Sequence, residues 1–269
     1  EDADGNPAQW INHKNHDDFE TVFEPGRAYL ASYDYLETAT FSGKLNSEKT
    51  FARQYSYTEE VEKTDRFKNF FLVGNPFTFD MDLKNMKWTN VVEGVAIVTS
   101  KGEYEYRTAG NNGIVPVGDG FFIKTTGAYP SISYNENEGT KRNEKFESIN
   151  IIASGKAGKD NVIVNFAGKA EGFNKLQNFN DAIATVYVSE NGKHYGIANV
   201  DENTTEVALN FNAKEMGNYS ISLDVNGEFE EVTLVDRFTG IETNMLLEDE
   251  YTFTATSNDN PNRFIIRLD

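Results

Sequence analysis

Apolar and polar residues alternate along much of this chain, most clearly towards residue 269. Val232 and Leu234 alternate with polar neighbours before the turn Phe238-Thr239-Gly240. Tyr251, Phe253 and Ala255 do the same in the next run, and a turn rich in Asn and Asp leads into residues 264–268. Alternation with a period of two, bounded by turn-forming residues, is typical of half-buried antiparallel strands. The pattern therefore predicts three consecutive strands here.

The same alternation recurs through the rest of the chain. It predicts strands at 27–33, 38–45, 70–73, 95–99, 103–108, 120–125, 131–134, 147–153, 161–166, 184–189, 195–198, 205–210, 217–223 and 228–235. Asn191-Gly192 and Asn226-Gly227 each lie between two such runs and predict tight hairpin turns, because both central positions of a type I′ turn need a positive φ. Only 61–70, 80–88 and 212–216 allow a turn or two of helix. The fold class predicted is all-β, with little helix and jelly-roll-like antiparallel sandwiches.

The length of 269 residues suits two such sandwiches. The stretch 135–145 has many turn formers and reads as a linker or a long exposed loop. We therefore expect an N-terminal β-sandwich domain at 1–143 and a C-terminal one at 144–269.

The charge of the chain argues against several classes of partner. There are 43 acidic and 25 basic residues, for a net charge of −18. Such a charge repels phosphate backbones and anionic lipid surfaces, so we expect no nucleic-acid partner. No apolar run is long enough to span a bilayer, so we expect no membrane insertion. The first residues lack the features of a signal peptide, and we expect that any such peptide has been removed from what was a longer protein.

Few residues suggest a metal site. Asp2, Asp4 and the intervening small residues resemble the start of a calcium-binding loop, but the rest of the ligand set is not evident, so we expect at most weak calcium binding and no other cofactor. His13 and His16 beside two aspartates could ligate a metal, but the sequence favours a solvated polar loop there, because the only other histidine, His194, is remote in the chain. The chain has no cysteine, which excludes thiolate metal sites and disulfides.

No motif in the sequence indicates catalysis. The stretch 155–160 lacks the spacing of a phosphate-binding loop and reads as a turn between strands. There is no Gly-x-Ser-x-Gly elbow, and no pair of carboxylates stands out among the many acidic residues. We therefore expect a protein that is not an enzyme.

Aromatic residues are the candidate ligand-binding groups. A sugar-binding face could be formed by Trp10, Trp88, Tyr104 and Tyr106, because flat rings match the apolar faces of pyranosides. Tyr104 and Tyr106 point to the same side of a predicted strand. The alternative for each ring is packing between strands in an aromatic-rich core.

Several motifs, taken in order, resemble those of secreted and surface proteins of Bacteroidetes-type bacteria. They are Phe23-Glu24-Pro25-Gly26-Arg27-Ala28-Tyr29-Leu30, Phe41-Ser42-Gly43-Lys44-Leu45-Asn46, Phe71-Leu72-Val73-Gly74-Asn75-Pro76-Phe77, the run 114–124, and the ending with Tyr251-Thr252-Phe253 and Arg263-Phe264-Ile265-Ile266. The chain departs from the family pattern at Ala28, where glycine is favoured, and at Phe77, where tyrosine is usual.

The resemblance implies β-sandwich modules of large exported, type IX-secreted-like proteins, often adhesins. It would place the protein outside a Gram-negative cell, secreted or on the outer surface. The function expected is a non-enzymatic module for adhesion, display or glycan contact, with a host or neighbouring-cell surface protein or a neutral glycan as partner. The alternative is an accessory portion, carbohydrate-binding or β-sandwich, of a larger secreted glycosidase or protease. The resemblance supplies no catalytic residues.

Overall fold

The structure is a computed structural model that describes residues 25–29, 43–59, 67–137 and 147–269. It is nearly all β, and the described residues contain no helix of seven or more residues. The all-β prediction is therefore confirmed. In the described residues a single 3₁₀ turn, Leu83–Asn85, is the only helical element.

The chain folds into two compact units that are interleaved in sequence. The first unit contains Glu1–Glu93 and Ile114–Arg142, and the second contains Gly94–Gly113 and Asn143–Asp269. The sequence had led us to expect contiguous domains at 1–143 and 144–269. The grouping differs because the hairpin within Gly94–Gly113 belongs with the second unit. That each unit is a β-sandwich domain remains a prediction.

The first unit contains seven strands in its described residues. They are β1 (Thr50–Gln54), β2 (Phe70–Gly74), β3 (Met81–Asp82), β4 (Met86–Thr89), β7 (Ile114–Val115), β8 (Gly120–Lys124) and β9 (Ser131–Asn135), with β5 (Val95–Val98) and β6 (Tyr104–Arg107) between them in the chain. Strands β1, β9 and β4 form an antiparallel sheet in that order. Antiparallel pairs are also formed by β2 with β8 and by β3 with β7.

The motif Gly74-Asn75-Pro76 connects several segments of the first unit. The Asn75 side-chain nitrogen lies 3.0 Å from the Phe79 carbonyl oxygen and 3.1 Å from those of Val115 and Pro116. A side chain on Gly74 would place its Cβ 2.7 Å from the carbonyl oxygen of Arg27. The motif therefore ties the end of β2 to two distant segments, and the glycine allows their close approach.

The second unit contains β5, β6 and the strands after residue 147. These are β10 (Ser148–Gly155), β11 (Gly158–Asn165), β12 (Phe173–Asn174), β13 (Thr185–Glu190), β14 (Lys193–Asn199), β15 (Glu206–Asn212), β16 (Gly217–Asn226), β17 (Val232–Asp236), β18 (Ile241–Asn244), β19 (Tyr251–Ala255) and β20 (Phe264–Leu268). They form a sheet in the order β18-β17-β20-β15-β13-β14-β11-β10-β16-β19, with β12 beside β14. Every ladder of this sheet is antiparallel except the pairing of β11 with β14. Strands β5 and β6 form an antiparallel hairpin.

Aromatic rings from both ends of this sheet share one core. Phe253, on the edge strand β19, has its ring centroid 5.0 Å from that of Phe211 on β15 and 4.9 Å from that of Phe264 on β20. The sheet must therefore curve until its two ends face each other. Burying large rings in this way compensates for the modest fraction of hydrophobic residues.

The turn predictions had different outcomes. Asn191-Gly192 forms the predicted hairpin between β13 and β14, with φ values of 51° and 74°. The hairpin predicted at Asn226-Gly227 is wrong, because β16 pairs with β10 and β19, whereas β17 pairs with β18 and β20.

The segments for which the sequence allowed a turn or two of helix are mostly not helical in the described residues. Of the range 80–88, only the 3₁₀ turn Leu83–Asn85 is helical, and strands flank it on both sides. Residues 214–216 form a bend instead of a helix. Residues 61–66 of the remaining segment lie outside the described residues.

Candidate functional site

Tyr106 is held on all sides by the second unit. Its backbone N–H donates to the Asn161 side-chain oxygen at 2.9 Å, and its carbonyl accepts from the Asn161 amide nitrogen at 3.0 Å. Its hydroxyl accepts from the Leu176 N–H at 2.6 Å. Burial, reinforced by the charge of Asp160, raises the pKa of the Tyr106 hydroxyl well above its ordinary value. Gly196 makes room for the ring, since a Cβ there would lie 2.2 Å from the Tyr106 Cζ.

A cleft of about 440 Å³ lies beside the hairpin of β5 and β6, within the second unit. Its lining combines carboxylates, amides, an ammonium group and an aromatic ring, contributed among others by Glu103, Tyr104, Asn150, Lys159, Asn161 and Asp224. Most of these residues belong to β6 and to β11, β10 and β16, which are neighbours in the sheet. The cleft therefore lies over one face of these three neighbouring strands.

Some polar groups in the cleft are fixed by the protein. The two carboxylate oxygens of Glu103 accept from the Lys159 N–H at 2.8 Å and from the Thr99 hydroxyl at 3.0 Å. The Asn150 side-chain oxygen accepts from the Asn161 amide at 2.8 Å. These bonds hold acceptor and amide groups in defined orientations.

Two other polar side chains of the cleft, Asn150 and Asp224, keep free hydrogen-bonding capacity within the described residues. Asn150 and Asp224 are cross-strand neighbours on β10 and β16. Within the described residues, the Asn150 amide nitrogen and the Asp224 carboxylate make no hydrogen bond, and Asp224 is exposed. One donor and one acceptor therefore lie side by side, an arrangement that matches neighbouring hydroxyl groups.

An exposed ring adjoins the cleft, and the sequence pattern did not reveal it. The ring of Phe179 stacks on that of Tyr104 with centroids 5.5 Å apart and an interplanar angle of 26°. Half of the Phe179 surface, 50%, is exposed. The signal for it was an aromatic residue between Asn178 and Asn180 in a polar loop, where a strand core cannot account for it.

The structure separates the aromatic residues that the sequence grouped together. Tyr104 and Tyr106 are buried, with 3% and 1% of their surfaces exposed, so neither provides an exposed platform. For these two rings the expectation of an exposed sugar-binding face needs correcting, because the strands and loops of the second unit cover them. Burial raises the pKa of Tyr104 to about 12. Trp88 is half-buried on β4 of the first unit, and Trp10 lies outside the described residues.

A buried ion pair lies on the other face of β11. The Lys175 ammonium donates to an Asp160 carboxylate oxygen at 2.8 Å, with 5% of the Lys175 side chain and none of the Asp160 side chain exposed. Burial lowers the pKa of Lys175 against the attraction of Asp160, and burial raises the pKa of Asp160 against the attraction of Lys175. Both shifts favour the neutral forms of the pair.

Asp2 and Asp4, the residues expected to bind calcium weakly, lie outside the described residues, as do His13 and His16. Among residues 25–29, 43–59, 67–137 and 147–269, no group of three or more His, Asp and Glu side chains is arranged to hold a metal ion. In those same ranges no helix is long and apolar enough to cross a membrane.

Comparison with known proteins gave no match to a protein-family model, a curated protein or a solved structure. The resemblance to Bacteroidetes-type surface proteins therefore stays a prediction from the quoted motifs. What the protein binds has to be argued from the cleft itself.

Proposed function

We propose that this protein is a non-enzymatic binding module, exported to act in adhesion or display, and that the cleft of its second unit contacts a neutral glycan. The observation that carries the proposal is the pairing of the Asn150 amide and the Asp224 carboxylate on adjacent strands. A carboxylate accepts from one sugar hydroxyl while the amide donates to the next. Shallow sugar sites are built from such pairs beside an aromatic ring, and Phe179 supplies an exposed ring next to Tyr104.

The charge of the cleft favours a neutral ligand. Four acidic residues and one basic residue, Lys159, line it, and the whole chain carries a net charge of −18; the acidic residues are Glu103, Glu105, Asp160 and Asp224. An anionic polysaccharide would be repelled by both the local and the overall field.

Two acidic groups of the cleft, Glu103 and Asp160, are bonded in a way that favours a structural role over a catalytic one. Glu103 is fixed by two hydrogen bonds, and the two oxygens of Asp160 accept from the Lys175 ammonium and the Val186 N–H. A general acid or base must reach the reacting group, and these carboxylates are held by the protein instead.

The proposal is tested by a glycan array with the wild type and Asp224→Asn. We expect neutral glycans to bind the wild type. In the variant, binding should weaken by about 10- to 100-fold, because a hydrogen bond to a charged group contributes about 1.5–3 kcal/mol. Asp249→Asn is the matched control, since it removes the same charge from an exposed site outside the cleft and should bind normally.

A second variant, Phe179→Ala, tests the ring separately and should also weaken binding. Preferential binding of sulfated chains, or equal affinity of the wild type and Asp224→Asn, would contradict the proposal.

A further inference from the structure

The buried pair of Asp160 and Lys175 has a geometry that a simple ion pair does not require. Lys175 Nζ lies 2.8 Å from Asp160 Oδ1 and 2.6 Å from the Asn161 carbonyl oxygen, and 4.6 Å from the centre of the Tyr106 ring. The second carboxylate oxygen, Oδ2, accepts from the Val186 N–H at 2.8 Å. The nitrogen and the carboxyl group are thus fixed against each other without solvent between them.

We propose that Lys175 and Asp160 condense to form an isopeptide bond, an amide between Lys175 Nζ and the side-chain carbonyl carbon of Asp160. This covalent link would join β11 to the segment that follows β12 inside the second unit. Asp160 also lines the cleft, but the reaction joins buried atoms of the protein and needs no ligand there.

Fixed geometry is the first argument for this reaction. Amide formation between free groups in water is slow, but groups held in contact react as if at a concentration of about 10⁵–10⁸ M. Lys175 Nζ is in hydrogen-bond contact with an oxygen bonded to the carbon it would attack. The bond to the Asn161 carbonyl fixes the direction of the amine.

Burial is the second argument. The condensation needs the amine and the carboxylic acid in their neutral forms, and the pKa shifts of both groups favour those forms. Taking two charges out of water is costly, whereas a neutral amide that keeps its hydrogen bonds removes that cost. The same burial keeps out the water that would hydrolyse the product.

The step balances without any further reagent. A proton passes from Nζ to Oδ1 along the 2.8 Å hydrogen bond, which leaves an amine and a carboxylic acid. The amine lone pair attacks the side-chain carbonyl carbon, and the electrons of its double bond move to Oδ2, where the Val186 N–H stabilises the negative charge. The double bond re-forms, and Oδ1 leaves with a second proton from Nζ as one molecule of water. The remaining N–H donates to the Asn161 carbonyl, and nothing is oxidised or reduced.

Mass spectrometry of the purified chain tests this proposal. The intact denatured mass should be lower than the sequence mass by one water molecule, and trypsin should no longer cleave after Lys175. Tandem spectra should show residues 160–169 joined to residues 170–193 through these two side chains. Loss of water elsewhere, at a succinimide or a cyclised glutamate, would leave cleavage after Lys175 intact and would count against the link.

Variants provide the controls. Lys175→Arg keeps the positive charge but should show the full mass, and Asp160→Ala should do the same. The exposed pair of Lys193 and Glu171, 3.7 Å apart, is the internal comparison and should remain unlinked. If a variant fails to fold, the wild-type peptides still decide the matter. The full sequence mass with free cleavage after Lys175, both fresh and after prolonged incubation at neutral pH, would overturn the proposal.

Discussion

Replacing Asp236 by asparagine should destabilise the second unit severely. Asp236 is fully buried on β17, and its two oxygens accept from the Arg263 guanidinium at 2.9 and 2.7 Å. The Tyr251 hydroxyl and the Phe238 N–H also donate to it, at 2.9 and 3.0 Å. The variant keeps the shape of the side chain but removes the carboxylate that binds the guanidinium through two hydrogen bonds, so that the partly exposed Asp259, at 3.9 Å, is its remaining acidic neighbour.

The size of the effect follows from the surroundings of Arg263. Its guanidinium lies against the rings of Phe238, Phe253 and Phe264, at 4.7–5.2 Å from their centres. These rings stabilise the cation only partly, and water cannot reach it. Removing one partner of a buried ion pair costs about 3–5 kcal/mol. We therefore expect the free energy of unfolding of the second unit to fall by about that amount.

Denaturant titration followed by circular dichroism measures this change. Trp88 lies on β4 of the first unit, so the tryptophan fluorescence that it contributes reports on that unit. Glu242→Gln is the matched control, because it breaks an exposed arginine–carboxylate pair with Arg267, formed between β18 and β20, the two strands that flank β17. Exposed pairs contribute little, so this control should unfold almost as the wild type does. A loss of stability in Asp236→Asn no larger than in Glu242→Gln would refute the reasoning.

Two further predictions concern acid and packing. Burial raises the pKa of Asp236, but hydrogen bonds, chiefly from Arg263, outweigh it and hold this pKa below the ordinary value of 3.8. The ionised Asp236 carboxylate therefore stabilises the fold fully above pH 3.8, and this stabilisation is lost as the pH falls through the lower pKa of the folded protein. Denaturant titrations at a series of pH values should show that the free energy of unfolding falls less in acid for Asp236→Asn than for the wild type. Gly196→Ala would place a methyl group against the Tyr106 ring and should lower the free energy of unfolding by about 1–3 kcal/mol. In the control Gly217→Ala, the new Cβ would lie 3.9 Å from its nearest atom, so the free energy of unfolding should not fall. Equal denaturation midpoints for the two variants would contradict this prediction.

Local patterns in the sequence were enough to predict most strands, because alternation reports which side of a strand is buried. They did not predict which strands become neighbours. Asn226-Gly227 has the sequence of a hairpin turn, yet β16 and β17 pair elsewhere, because the partners of each strand are set by packing with distant segments. The parallel pairing of β11 with β14 was missed for the same reason.

The candidate site was less predictable than the fold. Tyr104 and Tyr106 alternate as expected, but what covers them depends on Asn161 and Asn178, which are far away in the chain. One signal in the sequence could have revealed the buried pair. Asp160 lies on the same face of β11 as the apolar residues Val162 and Val164, and a carboxylate on a buried apolar face needs a buried partner. Nothing in the local sequence identifies Lys175 as that partner.

The interleaving of the two units also affects how the protein is made. The hairpin of β5 and β6 belongs to the second unit, yet its Tyr106 is bound by Asn161, 55 residues later, and by Leu176, 70 residues later. At about 5–20 residues per second, a ribosome takes on the order of several seconds to supply these partners. During that interval the hairpin has unpaired backbone groups and an uncovered tyrosine, which other chains could capture. Residues 94–113 therefore have to wait for partners that are synthesised later, and a chain that starts after them would leave the Asn161 side chain without its two bonds to Tyr106.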